Sequence, residues 1–223
     1  MRALGCDFCD EFAGGAQNRF AALYQADVRS RALLDVGNFR VFPSIGQIVE
    51  GYLLIAPLDH YARLSEMPAD LVNEISDLHE FVRSGVSAVY GECLTYEHGA
   101  SRESGRGCGV YHAHLHIVPL PAGLDPVNQL MAELPFEEVR GLSDAKQRVK
   151  DRPYLYYEDL TRRRYLFDAD TLPSQYVRRL LARSLGRAEW DWRGCGKEGE
   201  LLATVARLSE HFNLGKPRVD PAP

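Results

Sequence analysis

The residues best suited to chemistry lie in the run GVYHAHLHIVPL, where His112, His114 and His116 alternate with Ala113, Leu115 and Ile117. On an extended segment, side chains two residues apart point to the same face, so the three imidazoles share one side at a spacing of about 7 Å. Tyr111, Ala113, Leu115 and Ile117 form the opposite, apolar face, which belongs on a core. The chain has 7 histidines, and three of them fall in this strict alternation. That separates the run from a solvent-facing strand carrying histidines by chance. A rail of imidazoles suits two kinds of chemistry. Neutral imidazole ligates metals. It also attacks phosphorus, given hydrogen-bonding or positive groups around the non-bridging oxygens. Nucleophilic attack near neutral pH requires the second ring nitrogen to be held by an acceptor that fixes the tautomer.

A second group is Cys6-Asp7-Phe8-Cys9, a C-x-x-C pair. A redox pair of this spacing usually follows a strand and opens a helix in a thioredoxin-like pattern, and no such pattern surrounds it. As metal ligands the two thiols supply half of a closed zinc shell. Cys93, Cys108 and Cys195 bring the count to 5. An odd number with no apolar leader argues against a disulfide framework.

The elements that must position these groups follow from periodicity. Residues 39–42 and 51–56 read as strands, the second ended by Pro57. Residues 68–90 form the clearest helix, with Leu71, Ile75, Leu78, Val82, Val86 and Val89 at helical spacing, proline at its start and Gly91 at its end. Residues 93–96 read as a strand and 99–109 as a glycine- and serine-rich loop. The histidine strand then runs from Val110 to Val118, stopped by Pro119. This order predicts an α+β fold with an antiparallel sheet and a long helix packed on it. Beyond residue 122 the pattern predicts a loose helix over 125–134, a hairpin of strands 154–157 and 165–167, and helices over 173–185 and 198–212. The division expected is a catalytic domain at 1–122, a C-terminal α/β extension at 123–215 packed on it, and a disordered tail at 216–223.

Composition narrows the function. The chain has 223 residues, 45% hydrophobic and 26% charged, with net charge −5. That suits a globular protein with a full core and does not favour nucleic acid as the main partner, though small anions remain compatible. The sequence has no secretory h-region and no apolar run of membrane-spanning length, so a cytoplasmic protein without a membrane partner is expected.

The HAHLHIV segment resembles the His-φ-His-φ-His-φ-φ motif (φ apolar) of the histidine triad (HIT) superfamily, a likeness covering roughly residues 5–120. It implies a HIT-like sheet and a nucleotide or nucleotide-conjugate substrate. It also implies that His114 attacks an α-phosphate to form a nucleotidyl-histidine, with a backbone carbonyl as the usual tautomer-fixing acceptor. His116 would donate to phosphoryl oxygens or assist the leaving group. Zinc-containing relatives pair an early C-x-x-C with a histidine after a Pro-ended strand and with the first triad histidine. Those positions here are Cys6, Cys9, His60 and His112, which implies a structural zinc with a closed shell. A homodimer is implied as well.

The segment YEHGASRESGRGCGVYHAHLH also resembles the galactose-1-phosphate uridylyltransferase branch. Tyr96, Glu97, Gly107 and Cys108 match its positions, while His116 stands where that branch has glutamine. Many HIT hydrolases carry Ser or Thr where this chain has Gly109. Glu97, His98, Cys108 and Gly109 are therefore the candidate substrate-binding residues. Three functions stay open: a nucleotide hydrolase, a nucleotidyltransferase or phosphorylase using the same intermediate, and a zinc-stapled nucleotide-binding module without turnover. In the extension, Arg179, Arg183 and Arg187 recur four apart, a positive wall or a solvated helix face. The stretch SQY…WDWR there resembles the C-terminal parts of splicing-associated, CwfJ-type HIT-like proteins. Trp190 and Trp192 suit either base stacking or packing.

Overall fold

The computed structural model describes residues 3, 5–14, 18, 20–21, 31–99 and 109–212. Among them, eight strands form one sheet in the order β1-β2-β3-β5-β4-β7-β8-β6. The strands are β1 (Leu34–Val36), β2 (Phe39–Pro43), β3 (Leu53–Pro57), β4 (Cys93–Gly99), β5 (Leu115–Pro119), β6 (Phe136–Glu138), β7 (Tyr154–Glu158) and β8 (Arg164–Asp168). Every pairing is antiparallel. The helices are α1 (Asp7–Phe12), α2 (Ala69–Tyr90), α3 (Val127–Glu133), α4 (Leu142–Val149), α5 (Tyr176–Ser184) and α6 (Glu198–His211). The α+β class with an antiparallel sheet is as the sequence predicts.

The long helix α2 forms where the apolar stripe lies. Val72, Ile75, Leu78, Val82 and Val86 are buried on one side of it. Pro68 precedes its first turn, and Gly91, at φ 92°, closes it by donating its N–H to the Ser87 carbonyl at 3.0 Å. That left-handed conformation is one an L side chain resists.

The sheet is covered on both faces. Leu115 and Ile117 of β5 join the core made with α2, α4 and α6. Val118 joins a second core with Phe8 of α1, Leu130 of α3, and Val177 and Leu181 of α5. The apolar face of the histidine run is thus on a core as expected, but the histidine face is also roofed. His112, His114 and His116 are all buried, at 0%, 5% and 3% exposure.

Two details differ from the periodicity. The strand expected over 110–118 enters the ladder only at Leu115 and keeps Pro119 as its last residue. Before it, the Ala113 N–H bonds the Tyr61 carbonyl at 2.7 Å instead of a neighbouring strand, and the His112 ring turns to Cys6, just before α1, and Cys9 within it. The second concerns residue 122, across which the sheet is continuous. Along β4, five residues from Thr95 to Gly99 pair with β7 from Glu158 to Tyr154. The expected hairpin is present as β7 and β8. Short β1, β6, α1 and α4 had no clear periodic signal. Most of the loop expected at 99–109, with Cys108, and the tail at 216–223 lie outside the described residues.

Candidate functional site

His114 sits one residue before β5 and places its ring on the face shared with His116. Its Nδ1 donates to the His112 carbonyl at 2.5 Å. This bond fixes the proton on Nδ1 and leaves Nε2 with the lone pair. Burial holds the imidazole down at about 4, the His112 carbonyl opposes that shift, and the Arg31 and Arg178 charges reinforce it. The ring is therefore neutral at physiological pH. Its centroid is 4.6 Å from that of His116.

His116 is held by two tyrosines. Its Nδ1 meets the Tyr52 hydroxyl at 2.7 Å, and that hydroxyl meets the Tyr96 hydroxyl at 2.5 Å. The Tyr96 ring stacks on the imidazole at 4.0 Å and 5°. Burial first, then the His114 and Arg178 charges, keep His116 well below the usual imidazole range. The β4–β5 register sets Tyr96 opposite His116, and the next same-face residue along β4 is His98. His98 is buried, neither of its ring nitrogens has a hydrogen-bond partner, and burial holds it at about 4.

The histidine pair lines a cavity of about 30 Å³, whose walls include Phe8, Arg31, Val110, Arg178 and Trp192. A volume of this order suits roughly one water. A whole nucleotide is much larger than this volume, so enclosing one would require the rim to move. Phe8 of α1 lies edge-on over His114 at 5.3 Å and over His112 at 5.6 Å, forming part of that rim.

A separate quartet lies beside it. Cys6, Cys9, His60 and His112 bring one ligand atom each to within 4.8 Å of the others. The Cys6 Sγ–His112 Nδ1, Cys9 Sγ–His60 Nδ1 and Cys9 Sγ–His112 Nδ1 distances are 3.4, 3.5 and 3.7 Å. A tetrahedral zinc with ordinary Zn–S and Zn–N bonds separates S and N by about 3.6 Å, so the donors have the spacing such an ion needs. His112 Nε2 donates to the Pro57 carbonyl at 2.7 Å, which turns the Nδ1 lone pair toward the thiols. Burial and the neighbouring Cys9 push the Cys6 thiol up to about 11. A dication among these donors would instead favour the thiolate. The other acidic-histidine group, His79, Glu80 and Glu158, is occupied by arginines. Arg164 lies 2.7 Å and Arg162 3.4 Å from Glu158, and Arg162 also pairs with Glu80.

The remaining expected residues are spread more widely. Glu97 points to the α2 side of β4, away from the histidines. It accepts from the Leu64 N–H at 2.7 Å and from the Tyr154 hydroxyl at 2.5 Å. Gly109, at φ 89°, accepts from Arg193 Nη2 at 3.3 Å, and its neighbour Val110 reaches the cavity. Arg179, Arg183 and Arg187 line an open surface cleft with Trp190, and the Arg179 guanidinium lies 4.9 Å from the Trp190 ring centre. Trp192 is buried against the cavity.

Sequence reasoning missed Tyr52, Arg31 and Arg178, and gave Tyr96 as a match to the transferase branch without a role at the site. Arg178 did leave a signal: it stands in the apolar stripe of α5 among Val177, Leu181 and Ala182, where a solvated charge does not belong. Arg31 left none, because its partners Glu11 and Pro43 are remote in sequence.

No family model matches the chain. Among curated proteins it is similar to CWF19-like protein 1 of Pongo abelii, at 23% identity over 176 residues, or 73% of this chain. It spans 31% of the length of that relative. Among solved structures it is similar to a hypothetical histidine triad nucleotide-binding protein from Sulfolobus tokodaii strain7, at 18% identity, covering 53% of this chain and 70% of that one with a TM-score of 0.42. A Zn-bound histidine triad family protein from Mycobacterium smegmatis gives 19% identity, 54% and 78% coverage and a TM-score of 0.41.

Proposed function

We propose that the chain is a nucleotide hydrolase of the histidine-triad type, acting at the α-phosphate of a nucleoside polyphosphate or nucleotide conjugate. The observation that carries this reading is the tautomer lock on His114: Nδ1 is tied to the His112 carbonyl at 2.5 Å, and the residue lines the cavity. Nε2 attacks the α-phosphorus. The Nε2–P bond forms as the bond from phosphorus to the leaving oxygen breaks, and that oxygen takes the electron pair and a proton from solvent. With Tyr96 donating to Tyr52 and Tyr52 to His116 Nδ1, the His116 proton sits on Nε2 and stays there, its N–H hydrogen-bonding a non-bridging oxygen. Water then attacks phosphorus and loses a proton to solvent. The Nε2–P electrons return to the ring, and a nucleoside monophosphate leaves.

Cys6, Cys9, His60 and His112 hold a structural zinc in this reading. Zinc supplies a cross-link there, tying α1 to the segment before β5, and its four protein ligands leave no position for substrate. A cytoplasmic location belongs to the same reading.

The test is intact-mass detection of a nucleotidyl adduct. Dinucleoside polyphosphates, nucleotide sugars, adenylated conjugates and nucleoside phosphoramidates are screened with the wild-type chain and with His114→Ala. An adduct and turnover in the former, both lost in the latter, are expected. Turnover of every active substrate surviving in His114→Ala refutes the mechanism. Adding phosphate or a sugar phosphate as acceptor separates hydrolysis from transfer.

A further inference from the structure

Four arginines are buried among the described residues: Arg31, Arg63, Arg83 and Arg178. Three of them lie close to a carboxylate. Arg31 is 2.8 Å from Glu11, Arg63 is 3.1 Å from Glu66, and Arg83 is 3.7 Å from Glu158. Arg178 differs. Its Nε donates to the Trp190 carbonyl at 3.0 Å, Nη1 to the Ser44 hydroxyl at 3.1 Å, and Nη2 to the Gly46 carbonyl at 2.5 Å. All three acceptors are neutral, and its exposure is 2%. No carboxylate among the described residues lies within 4.0 Å of it, and the acid it does act on, Asp191, is shared with Arg193 at 3.8 Å. A buried cation without a close counter-charge of its own is unfavourable unless something else supplies the charge. Arg178 lines the same cavity as His114 and His116.

The surroundings hold the guanidinium firmly in place. Gly46, at φ 63°, lets the β2–β3 loop approach the segment at residue 192, where an added Cβ would stand 2.9 Å from the Trp192 Cα. Gln47 braces the same loop by donating to the Ser44 and Tyr52 carbonyls at 3.1 and 2.8 Å. Three acceptors thus fix the fork beforehand, which lowers the ordering cost of binding an anion. A planar guanidinium suits phosphate oxygens.

We propose that Arg178, delivered by α5 from the C-terminal part of the chain, is the counter-charge for the substrate phosphate in the His114 cavity. The inference rests on the hydrolase reading for what the phosphate belongs to. The phosphate site itself can be tested without turnover.

Isothermal titration of the full chain with AMP and with adenosine tests it. The wild-type chain binds AMP more tightly than adenosine. In Arg178→Gln, AMP affinity falls by about 10- to 100-fold while adenosine affinity holds, as for loss of a charged hydrogen-bond partner. Arg178→Lys keeps the charge but loses the fork and falls between the two. Should Arg178→Gln fail to fold, Arg178→Lys decides, with a several-fold loss for AMP alone expected. An AMP-to-adenosine ratio unchanged by a folded variant, or no preference for AMP in the wild type, overturns the proposal. The hydrolase reading fails separately, when no screened substrate leaves an adduct on the wild-type chain. A phosphate preference that depends on Arg178 with no adduct would keep the site and reject the hydrolase.

Discussion

Glu97 shows how one step along a strand turns a side chain to the opposite face of the sheet from its neighbour. Its neighbour His98 faces the histidines, while Glu97 faces α2, is buried and accepts from Leu64 and Tyr154. Burial raises the carboxyl to about 7 against an ordinary 4.5. The folded state therefore holds this proton more tightly than the unfolded chain. The stability it contributes is fully present below the unfolded value and is lost as pH rises through the folded one. By linkage the loss is on the order of 3 kcal/mol. Urea unfolding from pH about 5 to 8 checks this sign. The wild type is expected to lose stability relative to Glu97→Gln as pH rises across that window. Parallel curves for the two proteins would show that the carboxyl titrates normally.

At the scale of elements, α1 forms part of the rim and, with Cys6 just before it, brings two thiols to the quartet. Cys6 and Cys9 flank Phe8, so the residues that suit zinc also set the aromatic edge over His114. Elemental analysis is expected to find about one zinc per chain, because the quartet makes one closed shell. Cys9→Ser is expected to lose that zinc and to melt at a lower temperature, since metal binding here is coupled to folding. Equal zinc content in the two proteins would show that the metal sits elsewhere or does not bind. The tight cavity carries a kinetic consequence. Nucleotide association should be slower than about 10⁵ M⁻¹ s⁻¹, because binding waits on movement of the rim. Phe8→Ala should raise that rate while lowering stability by about 3 kcal/mol or more. Stopped-flow binding near the diffusion limit in the wild type would show that the rim is already open in solution.

For the whole molecule, the continuous sheet matters most. The β4 edge is taken by the chain's own β7, and the two end strands, β1 and β6, have three residues each. Short edges offer little backbone for a second copy to pair with. The homodimer that the triad resemblance implies would therefore need another surface. Light scattering at micromolar concentration tests the homodimer: twice the 25.0 kDa of one chain is expected if it forms, and 25.0 kDa argues against it under those conditions. No helix among the described residues is long and apolar enough to cross a membrane.

Local patterns made much of this legible. Period-two alternation put His114 and His116 on one face, the stripe of α2 marked the long helix, and the likeness to zinc-containing triad relatives, not spacing alone, anticipated Cys6, Cys9, His60 and His112 as a cluster, whose donors lie within 4.8 Å. These follow from strand and helix geometry and from ligand number, which act over a few residues or through a known motif. Other features became visible only when distant segments met. Arg178 finds two of its three acceptors 134 and 132 residues away, Tyr52 reaches His116 across 64, and β7 closes on β4 across the expected boundary near residue 122. Alternation states which side chains share a face but not what covers that face. Packing of the second core decided that the imidazoles are roofed and that a buried guanidinium stands beside them.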